Sequence, residues 1–449
     1  MTCATGTHQL ARLGRQLTAI SILPAALATL QRLERLQWKS PTFLRNMQEQ
    51  RMRQMIAYAS AGVPFYRRLF REEQMDPNAI RTREDLSKLP TLSRRDVVRN
   101  QQDMSVPGLI GERSELVASS GSSGPPVYCH VDQMTAHESI ATILLFNLWA
   151  SWVPGTPMVQ IMRQRPLRIA QRIFWQVLMR SSFLDSLQIT NSTASSFADL
   201  IASSRPSLIV SYPSVLGMIA RNTKEPLSSV RGIVVGSETM TPNVANDIEK
   251  GFSRRGFNRY GLSEFGGALM QDCGLHQGLH LNPELAVVEV VDSHGEQVAE
   301  GERGRLVITA LRNFVMPLIR YEVGDVGIQG GQCACGRGFP VISGVVGRTS
   351  DIVVGNDGDE VSAFLLLNAL HYYDYFPELI REFQFVDKGR GLVTLRIVPT
   401  ERFLENQAHN VEHVESRLHS TLPMLDFSVE ATGELRREAS GKQSLVIRE

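Results

Sequence analysis

Three short runs fix the layout of this chain more than anything else in it. PSLIVSY (206–212), RGIVVGSE (231–238) and NRYGLSE (258–264) each carry an apolar or turn-adjacent strand into a Gly/Ser/Pro turn, and helical patterns such as PNVANDIEKGFSRRG separate them. Strands that alternate with helices bury their apolar faces against one another, which gives α/β layering. Ligands of such sheets bind beyond the carboxyl ends of the strands, where all three turns lie.

A second texture begins near residue 285: ELAVVEVVD, GRLVITAL and DVGIQ are alternating, turn-bounded runs, which predicts a small antiparallel sheet. After GVVGRTSDIVVG the pattern predicts a helix around 362–373, strands in FQFVDK and GLVTLRIVP, a helix near 405–420 and a polar tail. Residues 40–105 read as helical with breaks at ASAGVPFYRRLF and KLPTLSRRD, where Thr91, Ser93 and Asp96 are suited to capping. The layout predicts a helical arm over 1–39, a large domain over 40–347 and a small C-terminal domain over 348–449.

A chain of 449 residues is long enough for two or more cores. Lys+Arg 47 against Asp+Glu 46 leaves a net charge of +1, which gives no electrostatic footprint for nucleic acid. The arm ARLGRQLTAISILPAALATLQRLERL has basic residues before an apolar run. Pro24 interrupts that run and it is too short to span a bilayer, so it reads as an amphipathic helix packed on the body. Five cysteines, an odd number, suit a reducing compartment and hence the cytoplasm rather than a disulfide framework.

The loop ASSGSSGPPVY (118–128) admits two readings, a slack linker or a grip for phosphate. The order of the motifs decides between them. SSGSSGPP is followed by SYPS, GSE, YGLSEFGG, CGLHQGLHLNPE, MPLIRYEVGD, CACGRGFP, GRTSDIV and a terminal SGKQSLV. In that order, from about residue 40 to the end, the chain resembles the adenylate-forming enzymes of the phenylacetate–coenzyme A ligase family, and most closely the branch associated with capsule biosynthesis.

The resemblance implies a large N-terminal domain of mixed sheets flanked by helices with a β-barrel-like subdomain, and a small, mobile α+β C-terminal domain. It implies a two-step reaction. A carboxylic acid attacks the α-phosphate of ATP to give an acyl-adenylate and pyrophosphate; an acceptor, usually the thiol of coenzyme A, then displaces AMP. ATP, Mg²⁺ and coenzyme A are the cofactors and co-substrates expected, and a homodimer is the implied assembly. By the same resemblance Ser119, Ser120, Gly121, Ser122, Ser123 and Gly124 wrap the phosphates through hydroxyls and backbone N–H groups. Pro125 stands where the family often has a lysine.

Tyr260 of YGLSE would lie against adenine, with Gly261 beside it, Ser263 near the α-phosphate and Glu264 on Mg²⁺, a hard cation suited to a carboxylate. Gly236, Ser237 and Glu238 would line the adenine and acyl pocket, and Asp325 would accept hydrogen bonds from the ribose hydroxyls. Arg348 would reach ribose or phosphate, and the backbone at Asp351 would absorb domain rotation. Lys442 would be delivered to the carboxylate–phosphate junction for adenylation alone, where an ammonium is worth about 3 kcal/mol.

Cys273, His280, Cys333 and Cys335 supply three thiolates and an imidazole, a tetrahedral set for a structural Zn²⁺, with His276 as an alternative ligand. Phe146, Trp149, Tyr212, Phe265 and Gly266 are candidates for an acyl pocket, whose aromatic rings would suit an aryl acid. Two other readings stand beside acid–thiol ligation. One is adenylation with transfer to an amine, hydroxyl or carrier protein in capsule or natural-product assembly; the other is a non-catalytic nucleotide-binding homologue.

Overall fold

The computed structural model of the chain describes residues 24–111, 114–118, 127–162, 173–189, 192–238, 240, 242–346, 352–356, 358, 360–371, 379–436 and 445–449. Ser119 to Gly124, Pro125, Arg348, Asp351 and Lys442 lie outside them, as does the expected domain boundary at 347/348.

The alternating strands form one side of an eleven-stranded sheet. Strands β3 (Met158–Met162), β4 (Ser181–Asp185), β5 (Leu208–Ser211), β6 (Gly232–Gly236) and β7 (Phe257–Leu262) pair in parallel in the order β4-β3-β5-β6-β7. Helices Ala194–Ser204, Pro213–Arg221 and Pro242–Phe252 lie between successive strands of this part. Ile209, Ile233 and Val235 pack with Leu216, Ile219 and Ile248 in one core. β7 is the seam. It runs parallel to β6 and antiparallel to β8 (Gly267–Asp272).

Beyond the seam the sheet continues antiparallel through β9 (Leu279–Leu281), β13 (Val341–Val346), β12 (Tyr321–Gln329), β11 (Arg303–Ala310) and β10 (Ala286–Val291). The runs from 285 onward therefore extend the same sheet. A separate hairpin pairs β1 (Ser114–Ala118) with β2 (Tyr128–Asp132), placing Ala118 opposite Tyr128. The serine-glycine segment lies in the sequence between these two strands.

After a short hairpin of β14 (Ile352–Val354) and β15 (Glu360–Ser362), the chain forms a small α+β unit. β16 (Ile380–Asp387) and β17 (Leu392–Pro399) pair antiparallel, with β18 (Asp426–Ala431) and β19 (Val446–Arg448) parallel on the outer edges. Helices Ala363–His371 and Gln407–Thr421 fall where the pattern places them. The tail is more structured than its polarity predicts. Val446 is buried as β19 pairs with β16, because an apolar Val-Ile pair inside a polar run is enough to close a sheet edge.

The described part of the N-terminal arm is a helix over 24–36 that packs on the body through Leu33 and Leu36. Arg32 fastens it further, donating to Glu138 at 2.6 Å and to Glu284 at 2.7 Å, two carboxylates that are otherwise buried. Pro24 lies at the start of this helix, a position that needs no backbone donor. Among the described residues no helix is long and apolar enough to cross a membrane.

Candidate active site

The seam of the sheet gathers three of the expected residues. Tyr260 sits on β7, and the Tyr260 hydroxyl donates to Asp325 Oδ2 on β12 at 2.7 Å. Three residues on, Ser263–Phe265 form a single 3₁₀ turn that buries Glu264 and Phe265 and leaves Ser263 exposed. Gly266 ends the turn at φ +87, in the left-handed region that glycine adopts without a Cβ penalty. Gly261 is needed for a different reason. A Cβ there would stand 2.4 Å from the Gly267 carbonyl oxygen, where β7 and β8 slip register.

Glu264 is an uncomfortable carboxylate. Burial pushes its pKa up, its own backbone N–H and the Arg94 guanidinium pull it back, and the neighbouring Asp325 charge raises it further. Arg94 belongs to the LPTLSRRD stretch, read from sequence only for its caps. Ser93 and Asp96 do form a capping box. The same stretch is tied to β12, since Leu92 N–H donates to the Arg320 carbonyl at 2.8 Å and Glu322 N–H to the Leu92 carbonyl at 2.9 Å. That tie brings a cation toward Glu264 and toward the buried thiol of Cys129, which also feels it. The signal was in the motif, whose first arginine, Arg94, is not needed for capping.

The β1–β2 hairpin packs against the Ser263–Phe265 turn, so the strands flanking the serine-rich segment abut the element that carries Glu264. Gly236 ends β6 against the carbonyl of Arg259 on β7, and Ser237 follows at φ +69. Glu238 turns back to accept from the Ser214 N–H at 3.2 Å, which caps the helix Pro213–Arg221. Tyr212, buried at the head of that helix, packs in the core beneath these turns.

Phe146 and Trp149 have a different role from the acyl pocket expected of them. Phe146 is fully buried, and both rings pack with Leu33, Leu36, Leu44 and Phe339. The Trp149 indole N–H donates to Gln37 Oε1 at 2.8 Å. Helical spacing of aromatics here made core under the arm. The space left by Gly266 is likewise filled. A Cβ there would meet Thr135 Cγ2 at 2.8 Å, so the glycine admits the helix Gln133–Trp149, and Ser139 Oγ donates to its carbonyl. Phe265 packs in the core with Leu269 and Tyr321.

The cysteine cluster assembles as expected, with His280 as its fourth member. The ligand atoms of Cys273, His280, Cys333 and Cys335 all lie within 4.8 Å of one another. Cys273 Sγ and Cys333 Sγ are 3.7 Å apart, and Cys335 Sγ is 3.5 Å from His280 Nε2. A tetrahedron with metal–sulfur and metal–nitrogen bonds of about 2.3 and 2.05 Å has edges of about 3.8 and 3.6 Å. The thiols are too far apart for a disulfide. Burial, with Arg337 nearby, lowers the His280 pKa to about 4, which keeps the imidazole in its neutral, ligating form. His276 is engaged elsewhere, with Nδ1 2.6 Å from Asp272 Oδ2 and its ring against Phe257.

Comparison with known proteins agrees with this geometry. The family of AMP-binding enzymes matches residues 175–316, which includes β5 to β11 and the Tyr260–Glu264 turn. The phenylacetate–coenzyme A ligase of Thermus thermophilus is 29% identical over 410 residues, covering 84% of this chain and 87% of that one. The chain is an adenylate-forming, phenylacetate–coenzyme A ligase-like enzyme. The protein CapK of Staphylococcus aureus is 21% identical over 289 residues, or 62% of each chain. In fold, this adenylate-forming enzyme superposes on a 2-hydroxyisobutyryl-CoA ligase, solved with 2-HIB-AMP and CoA in the thioesterification state. The TM-score is 0.62 at 18% identity, covering 93% of this chain and 92% of the other.

Proposed function

We propose that this enzyme activates a small, aryl carboxylic acid with ATP, releases pyrophosphate, and passes the acyl group from its adenylate to the thiol of coenzyme A. The observation that carries the reading is the Tyr260–Asp325 hydrogen bond with Glu264 beside it, at the carboxyl end of the central strand. In this reading Asp325, positioned by the Tyr260 hydroxyl, accepts from the ribose hydroxyls. Ser263 is exposed at the same turn, as a group meeting phosphate must be.

The donor set also fits the expected cations. A buried carboxylate raised by burial is a poor anion on its own, and a divalent cation held by Glu264 would offset that cost. Mg²⁺ bound there supplies charge neutralisation of the phosphates. Arg94 takes the place of the loop lysine that this chain lacks at Pro125, presenting a permanent charge beside Glu264. In our reading Lys442 adds the last charge from the C-terminal domain, residues 348–449, by rotation about Asp351 with Arg348 contributing to the nucleotide site. In the same reading Ser119 to Gly124 wrap the phosphates through hydroxyls and backbone N–H groups.

We assign Zn²⁺ to the Cys273–His280–Cys333–Cys335 cluster. Four protein ligands leave no open position, so its part is structural. The reading includes a homodimer in a reducing, cytoplasmic setting, which suits cysteines that are all free among the described residues.

The decisive experiment is exchange of labelled pyrophosphate into ATP across a panel of aryl, hydroxy and amino acids. Exchange with one acid class, followed by a thioester of coenzyme A in the product mass, is the expected result. Exchange without thioester would move the acceptor to an amine, hydroxyl or carrier protein. No exchange with any acid, together with indifference to Lys442→Ala, would mean a nucleotide-binding homologue without catalysis.

A further inference from the structure

A cavity of about 650 Å³ opens between the start of the helix Pro41–Gly62 and the 331–340 turn. It shares no lining residue with the Tyr260–Asp325 site. Its charged lining consists of Lys39, Arg45, Arg83 and Arg337, with no aspartate or glutamate among the lining residues. Arg45 is occupied by Glu49 and Glu84. Lys39 and Arg83 make no ion pair among the described residues. Burial lowers the Arg83 pKa and Arg45 beside it lowers it further, while Glu84, Glu289 and Glu49 act on it through space from outside the lining.

The mouth is aromatic. Trp38 is 57% exposed, which is costly for an indole unless something covers it. The Arg337 guanidinium lies 5.0 Å from its ring centre and 4.7 Å from that of Trp149 and donates to Gln37, with no carboxylate partner among the described residues. The first turn of a 22-residue helix opens on the same space and adds the positive end of its dipole. Cavities of a few hundred cubic ångströms hold molecules of nucleotide or sugar-phosphate size.

We propose that this cavity is a second ligand site, for a small phosphate ester whose phosphate meets Lys39 and Arg83 and whose flat organic part lies on Trp38. Anion and ring are both needed, because the lining combines cations with an exposed indole. Cys333 lines the cavity too, so a bound ester would rest against the turn that carries two of the clustered cysteines. The inference does not depend on which acid the enzyme activates.

Phenyl phosphate is the probe, titrated by calorimetry into protein already saturated with ATP so that the nucleotide site is closed. Phenol and inorganic phosphate serve as half-probes. Saturable binding of phenyl phosphate, at least about tenfold tighter than either half-probe, is expected, with a change in tryptophan emission that Trp38→Phe removes. Lys39→Gln with Arg83→Gln should weaken it at least about tenfold while ATP affinity and melting temperature stay as in the parent. Trp38→Ala provides a second variant that leaves the cations in place and should forfeit the preference over inorganic phosphate. Equal binding by parent and double variant, or no saturation at millimolar probe, would overturn the assignment.

Discussion

The Tyr260 hydroxyl and the Asp325 carboxylate, 65 residues apart in the chain, meet at 2.7 Å across the seam between the parallel and antiparallel parts of the sheet. The bond engages Asp325 Oδ2. Tyr260→Phe keeps the ring and removes the donor to Asp325 Oδ2. The KM for ATP should rise roughly tenfold with kcat nearly unchanged, the size of one hydrogen bond to a charged group. Steady-state kinetics with varied ATP reads it; an unchanged KM would leave the hydroxyl with no part in holding the nucleotide.

Glu264 supplies the pH test. Its folded pKa lies above its unfolded value because burial outweighs the Arg94 charge. The folded state therefore holds the proton more tightly. Relative to a neutral side chain, stability falls as pH rises from the ordinary glutamate range through the raised value, and the deficit is complete above it. Glu264→Gln should thus melt higher than the parent at neutral pH without ligand and match it in acid. The same variant should lose on the order of a hundredfold or more in magnesium-dependent pyrophosphate exchange. Melting curves that run parallel at every pH would show that the carboxylate is not strained in the free enzyme.

Arg94 separates charge from geometry. Arg94→Ala removes the guanidinium that acts on Glu264 and should lower kcat on the order of a hundredfold. Arg94→Lys restores the charge and should recover part of the loss, whereas Ser93→Ala, which removes only the cap, should cost about 1 kcal/mol in stability and leave kcat alone. Should Ser93→Ala reduce kcat as far as Arg94→Ala, the arginine would matter only through the fold of its helix.

Much of this architecture could be read from the residues because periodicity reports burial directly. LIVS and GIVVG have no polar side chain for water to reach except at their ends, and they became interior parallel strands. The tyrosine–aspartate meeting could be expected only from motif order, since nothing local in YGLSE or RYEVGD encodes the partner. Phe146 and Trp149 were misread for the opposite reason. Their spacing shows that one helix face is buried but not whether a ligand or another helix buries it, and here the arm does so. Arg94 escaped notice because a basic residue after an N-cap is usually solvated, and only the pairing of Leu92 with β12 turns it inward.

The cysteine cluster bears on the same seam. β9 and β13 pair through only two residue pairs, Val341 with His280 and Ile342 with Leu279, yet this junction joins the part of the sheet carrying Tyr260 to the part carrying Asp325. A metal held by Cys273 and His280 on one side and by Cys333 and Cys335 on the other would clamp the junction. Purified enzyme should carry a single zinc ion per chain by elemental analysis. Cys333→Ser should lose the metal and several degrees of melting temperature and raise the KM for ATP, because Asp325 would no longer be held in register with Tyr260. Cys129→Ser, which alters a buried thiol outside the cluster, should keep both the metal and the KM. If Cys333→Ser loses zinc while KM stays at the parent value, the clamp serves stability alone and the short junction aligns the site unaided.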